Sequence, residues 1–207
     1  MKNLIWALLL ITAPAYADST PRLTSMRQLQ MRDIERQTLD YSCGAAALAI
    51  LLRGYFNESI SEEDVLTDLI SRMPREELAE RIKSGFSMLD LKLAAQRMGY
   101  TAAGTRLKME QAILLKGPVI ILLSRDELKH FVVLKGIVKG RAHLADSVRG
   151  HIRMPLHELR EQWRGETLII GRERFSLPAS HALAIPSADA VAPEQETVRA
   201  LRHLPLN

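Results

Sequence analysis

The residues best suited to chemistry gather around Cys43, the single cysteine in 207 residues. Ahead of it, Arg36-Gln37-Thr38-Leu39-Asp40-Tyr41-Ser42 is polar and turn-like. Behind it, Gly44 to Leu52 is small and apolar, rich in Ala and Leu, which predicts a buried helix opening at Cys43. The partial positive charge of a helix N-terminus stabilises a thiolate and lowers the thiol pKa. Acyl transfer by a thiolate also needs a base, a group that orients the base, and donors for the oxyanion. Gln37, six residues upstream of Cys43, carries an amide able to donate to an oxyanion beside the backbone N–H of Cys43.

Six histidines compete for the role of base. His130 leads the apolar run Phe131-Val132-Val133-Leu134, so its imidazole stands at a strand end, where clefts are lined. His143, His151, His157, His181 and His203 lack that setting. Asp146 lies sixteen residues beyond His130, at the end of the next strand. In a hairpin turning near Lys139-Gly140 the outer strand ends return to each other, which would let a carboxylate fix the tautomer of the far imidazole. Sequence alone leaves the register open. Each residue has a plainer reading: a packing thiol, a satisfied core histidine, and a turn-forming Asp before Ser147 and Gly150. The set taken together favours a nucleophile with its helpers.

Gln37, Asp40 and Cys43-Gly44-Ala45-Ala46 closely resemble the pattern of the bacteriocin-processing, double-glycine-leader peptidases. The resemblance continues in Lys129-His130-Phe131-Val132-Val133-Leu134-Lys135-Gly136 and in Leu144-Ala145-Asp146, so it spans about 31–171. Ser147 departs from it, standing where that family often has Pro. The resemblance implies a papain-like α+β fold with Cys43 as nucleophile, His130 as base, Asp146 as its orienting acid and Gln37 in the oxyanion hole. Asp40 fits the motif with a loop-structuring role only. The implied substrate is a protein or peptide cut after small residues of the Gly-Gly type. A stand-alone exported member implies service to an outer-membrane secretion system, and the chain is similar to the exported peptidase of a functional-amyloid export system. The alternative is a non-catalytic module of the same fold that binds a substrate or leader; retention of Cys43 argues for activity. A weaker third reading is a structural partner whose tail docks onto an assembly.

The elements that must position these residues follow from periodicity and caps. A helix over Gly44 to Arg53 is expected to stop at Gly54. Ser61-Glu62-Glu63-Asp64 reads as an N-cap with an acidic first turn, and Ser87 as a cap with Asp90 at the capping-box position, ahead of the apolar faces Val65/Leu66/Leu69/Ile70 and Met88/Leu91/Ala95/Met98. Short helices are expected over Arg75 to Lys83 and Met109 to Leu115, with an extended edge over Tyr100 to Leu107. Strands are expected over Val119 to Leu123, Phe131 to Val138, Arg141 to Ala145, His151 to Met154 and Thr167 to Gly171, with a helix opening at Pro155 before the last. Helices first and a mostly antiparallel sheet second is an α+β order. The segment 172–207 has four prolines and no periodic apolar face, and is expected to be a disordered tail.

Composition narrows the function further. There is no basic stripe interleaved with aromatics, so nucleic acid is not an expected partner. Gly99 to Gly104 has P-loop spacing, but Thr105 stands where Lys is required, which argues against ATP. No His/Cys set has metal-ligand spacing, and no cofactor is expected. Met1-Lys2-Asn3, the apolar run Leu4 to Ala13 and Ala15-Tyr16-Ala17 read as a signal peptide over 1–17. Its apolar run falls short of the roughly 20 residues that span a bilayer. Loss of 1–17 removes Lys2 and no acid, lowering the net charge from +4 to +3. The domains expected are then an arm over 18–30, the peptidase-like domain over 31–171 and the tail, working in the periplasm. The exported protein should begin at Asp18 by mass spectrometry; a species retaining Met1 to Ala17 would mean an anchored form instead.

Overall fold

In the computed structural model, residues 25–126, 128–176, 178 and 180–186 are described. The leader, the arm up to residue 24 and the stretch 187–207 lie outside them. Within the arm a short helix, α1 (Met26–Gln30), forms on the surface, capped by Ser25.

The molecule is built around α2 (Cys43–Phe56). Of its residues only Arg53 is exposed, and a helix apolar on every side must be enclosed by protein. The expected stop at Gly54 is not used. The helix continues to Phe56 and ends at Asn57, which takes the left-handed conformation at φ 58°. Gly54 serves packing instead: a Cβ there would lie 2.7 Å from Cγ of Leu183. Beside α2 stand α3 (Glu62–Ser71) and α5 (Met88–Arg97). Both begin at the caps read from sequence, and both form capping boxes, Ser61 with Asp64 and Ser87 with Asp90. Between them, α4 (Arg75–Ser84) buries none of its residues.

Six strands follow: β1 (Thr101–Arg106), β2 (Val119–Arg125), β3 (Leu128–Val138), β4 (Arg141–Asp146), β5 (Gly150–Pro155) and β6 (Glu166–Gly171). They form one sheet in the order β1-β6-β2-β3-β4-β5 with every neighbour antiparallel. One face packs on α2, α3 and α5 through Phe131, Val133, Ala145 and Leu168. The other, carrying Ile121, Val132, Leu134 and Leu144, is covered by α6 (Met109–Ile113) and α7 (Leu156–Gln162). The α+β order expected from sequence is the order observed.

The β3–β4 hairpin turns at Lys139 and Gly140, both at positive φ, as the right-handed twist of a two-residue hairpin loop demands. Its register then slips by one between Leu134 and Gly136, leaving Lys135 as a bulge. An unbroken ladder from the Val138–Arg141 pair would set Asp146 opposite Val133, on the α2 face. The bulge pairs Val133 with Ala145 instead. Asp146 therefore joins the face of Leu144, Val132 and His130, because one residue of slip reverses every side chain beyond it.

The expectation of a disordered tail from residue 172 does not hold for the described residues 172–176, 178 and 180–186. Arg172 lies over the rings of Phe56, Tyr100 and Phe175 at 5.5–5.8 Å from the centroids. Leu183 is 1% exposed in the core beside α2. Periodicity misses such a segment, because Phe175 and Leu183 fill gaps singly and never make a repeating face. Leu183→Ala should lower unfolding free energy by about 2–3 kcal/mol in urea denaturation, with thiol reactivity unchanged. A loss under about half a kcal/mol would mean that the segment contributes little to the fold.

Candidate active site

Cys43 is the first residue of α2, 9% exposed. Gly44 beside it is favoured by space. A Cβ there would sit 3.0 Å from Leu91 and 3.2 Å from Phe131, so glycine lets the helix start seat between α5 and β3 without displacing either side chain. Ser42, fully buried, does not cap the helix with its side chain. Its hydroxyl turns back, donating to the Leu39 carbonyl at 2.7 Å and accepting from the Leu39 N–H at 3.2 Å. The first-turn N–H groups are thus left to act on the thiol and whatever bonds to it.

His130 lies on β3 opposite Leu123 of β2. Its Nε2 meets Oδ1 of Asp146 at 3.1 Å, which leaves Nδ1 for its hydrogen bond with the Cys43 thiol. Burial alone would lower the imidazole pKa. The bonds to Asp146 and Cys43, and the charges of both, overcome this and raise it to about 9. Burial likewise pushes the Cys43 thiol up, and its bonds with His130 and the backbone of Phe131 and Gly44 reverse this and hold it below its ordinary value. Thiolate beside imidazolium is the pairing these two directions support.

Asp146 has no exposed surface. Burial raises its pKa, but His130 and the backbone N–H groups of Val148 and Arg149 prevail and hold it well below the usual carboxylate range. Those N–H groups donate to Oδ1 at 2.8 and 3.0 Å, and Arg149 Nε donates to Oδ2 at 2.8 Å. Sequence reading missed Arg149. The signal was available in an Asp followed three residues later by Arg, within a turn of the type Asp promotes.

Gln37 reaches the same turn by another route. Its Oε1 accepts from the Ser147 hydroxyl at 2.9 Å, and its Nε2 donates to the Leu39 carbonyl at 3.2 Å. The loop that carries it is pinned by Glu62, 3% exposed, whose two carboxylate oxygens each accept the Thr38 N–H at 3.0 Å. Glu35 accepts from the Glu62 N–H at 3.1 Å and pairs with Arg53 at 2.7 Å. The loop-structuring role read for Asp40 belongs to Glu62 and Ser42. Asp40 is exposed, and its side chain makes no hydrogen bond or ion pair among the described residues. Glu62 was legible only as a first-turn acid, because its partner lies 24 residues away.

A cavity of about 330 Å³ opens beside Cys43 between Asp40, Tyr41, Gly85 and Leu128. A larger one, about 670 Å³, is lined by Arg32, Lys135, His143 and His151 but by none of the four candidate residues. The smaller cavity is the relevant one, because Cys43 lines it.

Residues 31–174 match the model of the Peptidase C39 family. The chain belongs to this family. Two similar proteins are the probable functional amyloid protease FapD of Pseudomonas aeruginosa, 34% identical over 144 residues, and that of Pseudomonas fluorescens, 30% identical over the same length. Each alignment covers 70% of this chain and 62% of the relative, so the chain spans less than two thirds of the length of either. Among solved structures, a double glycine motif protease from an AMS/PCAT transporter, in complex with the leader peptide, is similar at 26% identity and a TM-score of 0.55, covering 67% of this chain and 90% of that one. The peptidase domain of Streptococcus ComA shares the fold at 19% identity and a TM-score of 0.57, covering 67% and 97%. The fold of this C39 chain is accordingly the papain-like α+β fold.

The pKa directions set an expected labelling profile. With the thiol lowered and the imidazole at about 9, the ion pair prevails between those two values. Iodoacetamide should alkylate Cys43 rapidly near pH 6, where an ordinary thiol of pKa about 8.5 is almost wholly protonated. His130→Ala should shift the labelling midpoint upward toward that ordinary value, and Asp146→Asn should shift it part of the way. Slow labelling at pH 6 that ignores His130→Ala would mark Cys43 as a packing thiol.

Proposed function

We propose that this C39 chain is an exported cysteine endopeptidase that cleaves a protein or peptide after small residues of the Gly-Gly type. The observation that carries the reading is the continuous hydrogen-bonded chain from the Cys43 thiol through His130 to a fully buried Asp146. In this mechanism the Cys43 thiolate attacks the scissile carbonyl, and the C=O electron pair moves onto oxygen. The backbone N–H of Cys43 and the Gln37 amide receive that oxyanion. The His130 imidazolium then gives its proton to the leaving amine, and the imidazole so formed takes one from the water that hydrolyses the thioester. Asp146 keeps Nδ1 of His130 aimed at sulfur and stabilises the imidazolium.

Preference for small residues is supported by similarity to the double glycine motif protease. Service to a functional-amyloid export system is supported by the similarity to FapD. Work in the periplasm is supported by the leader read at 1–17.

The test uses the mature chain and peptides carrying Gly-Gly before the scissile bond. Cleavage should stop at the second glycine's carbonyl, vanish in Cys43→Ala, and fall 10²–10³-fold in kcat for Gln37→Ala. Tight peptide binding without cleavage by the unaltered chain would favour the non-catalytic binding module.

A further inference from the structure

The turn after Asp146 contacts both halves of the site. Asp146 bonds to His130, and the next residue, Ser147, bonds to Gln37. Ser147 is 2% exposed, and its hydroxyl donates to Gln37 Oε1 at 2.9 Å. The other end of that amide donates to the Leu39 carbonyl at 3.2 Å. A carbonyl only accepts, so Leu39 selects the nitrogen end of the amide while Ser147 holds the oxygen end. The two ends have nearly the same shape and opposite polarity. Nε2 carries two hydrogens, and the second has no hydrogen-bond partner among the described residues. A flipped or swung amide would present a lone pair to a developing negative charge in place of that N–H.

We propose that Ser147 is a positioning residue for the oxyanion donor: its hydroxyl anchors the Gln37 amide in the one place where the Leu39 carbonyl sets its polarity, with an N–H left for the oxyanion. This rests on the reading of Gln37 as that donor. Proline, which the family resemblance leads one to expect after the Asp, has no hydroxyl and could not make this bond. The chain would thus hold its oxyanion donor and its base-orienting acid from adjacent residues of one turn.

The experiment compares two reactions at the same thiol. With acetyl-Gly-Gly-aldehyde, Sγ of Cys43 adds to the aldehyde carbon and the C=O π pair moves to oxygen, which takes the proton from the His130 imidazolium to give a hemithioacetal. With iodoacetamide, Sγ displaces iodide and no oxyanion forms. Aldehyde affinity is read as protection of Cys43 from iodoacetamide near pH 6. Gln37→Ala should weaken the aldehyde about 100-fold. Ser147→Ala should weaken it roughly tenfold, the scale of one lost hydrogen bond, and Ser147→Thr should restore it to within about threefold. Alkylation rate and its pH profile should be the same in all four proteins, which also verifies that Cys43, His130 and Asp146 remain assembled. Aldehyde affinity unchanged in Ser147→Ala but lost in Gln37→Ala would overturn the role of Ser147 and leave the peptidase reading standing. Slowed alkylation in Ser147→Ala would overturn it too, by tracing the effect to Asp146. Affinity unchanged in Gln37→Ala, or no adduct with the unaltered chain, would instead remove the oxyanion assignment on which the proposal rests.

Discussion

Burial of the Asp146 carboxylate is the constraint to which the rest of the site answers. A carboxylate with no exposed surface is costly unless donors surround it. Here His130, two backbone N–H groups and the Arg149 guanidinium all point at its two oxygens. Three of these donors come from the turn immediately after it, so the turn must close tightly back on β4. Gly150, at φ +79° and paired with Asp146, closes it. A Cβ at Gly150 would come within 2.3 Å of the Gln30 carbonyl oxygen, so the same glycine admits the end of α1 against the sheet.

The bulge at Lys135 matters as much as the carboxylate. Without that slip the hairpin would still bring Asp146 near His130 along the strand, but on the opposite face of the sheet. Its cost is local, one unpaired position in a ladder that is otherwise regular from Val138 to Val133. Its effect is to turn the end of β4 toward the face from which His130 projects.

The loop before α2 is held by a different logic. Tyr41 packs on the Phe86 ring, and polar groups fix the rest: Glu62 on the Thr38 N–H, Ser42 on Leu39, and Ser147 on Gln37. Buried polar networks of this kind specify one geometry, because each member would be left unsatisfied in any other. Gln37 and His130 are thereby referred to the same sheet end, although more than ninety residues separate them.

By itself, the sequence determined the order of elements, the burial of α2, the helix caps at Ser61 and Ser87 and the hairpin turn. Each depends on residues within a few positions of one another, and local propensity and periodicity record such dependence. It also singled out Cys43, His130, Asp146 and Gln37, because short motifs mark the ends of elements where these residues stand. Tertiary structure alone decided the face on which Asp146 falls, the real partner of Gly54, the packing of Arg172, Phe175 and Leu183, and the parts played by Glu62, Ser147 and Arg149. Register depends on a single bulged residue, whose presence neither composition nor alternation announces. Gly54 and Leu183 explain each other only once a segment some 130 residues downstream is laid across the helix. Glu62 and Ser147 look like ordinary capping and turn residues, and their partners are chosen by the fold, by which buried N–H or amide oxygen comes within reach.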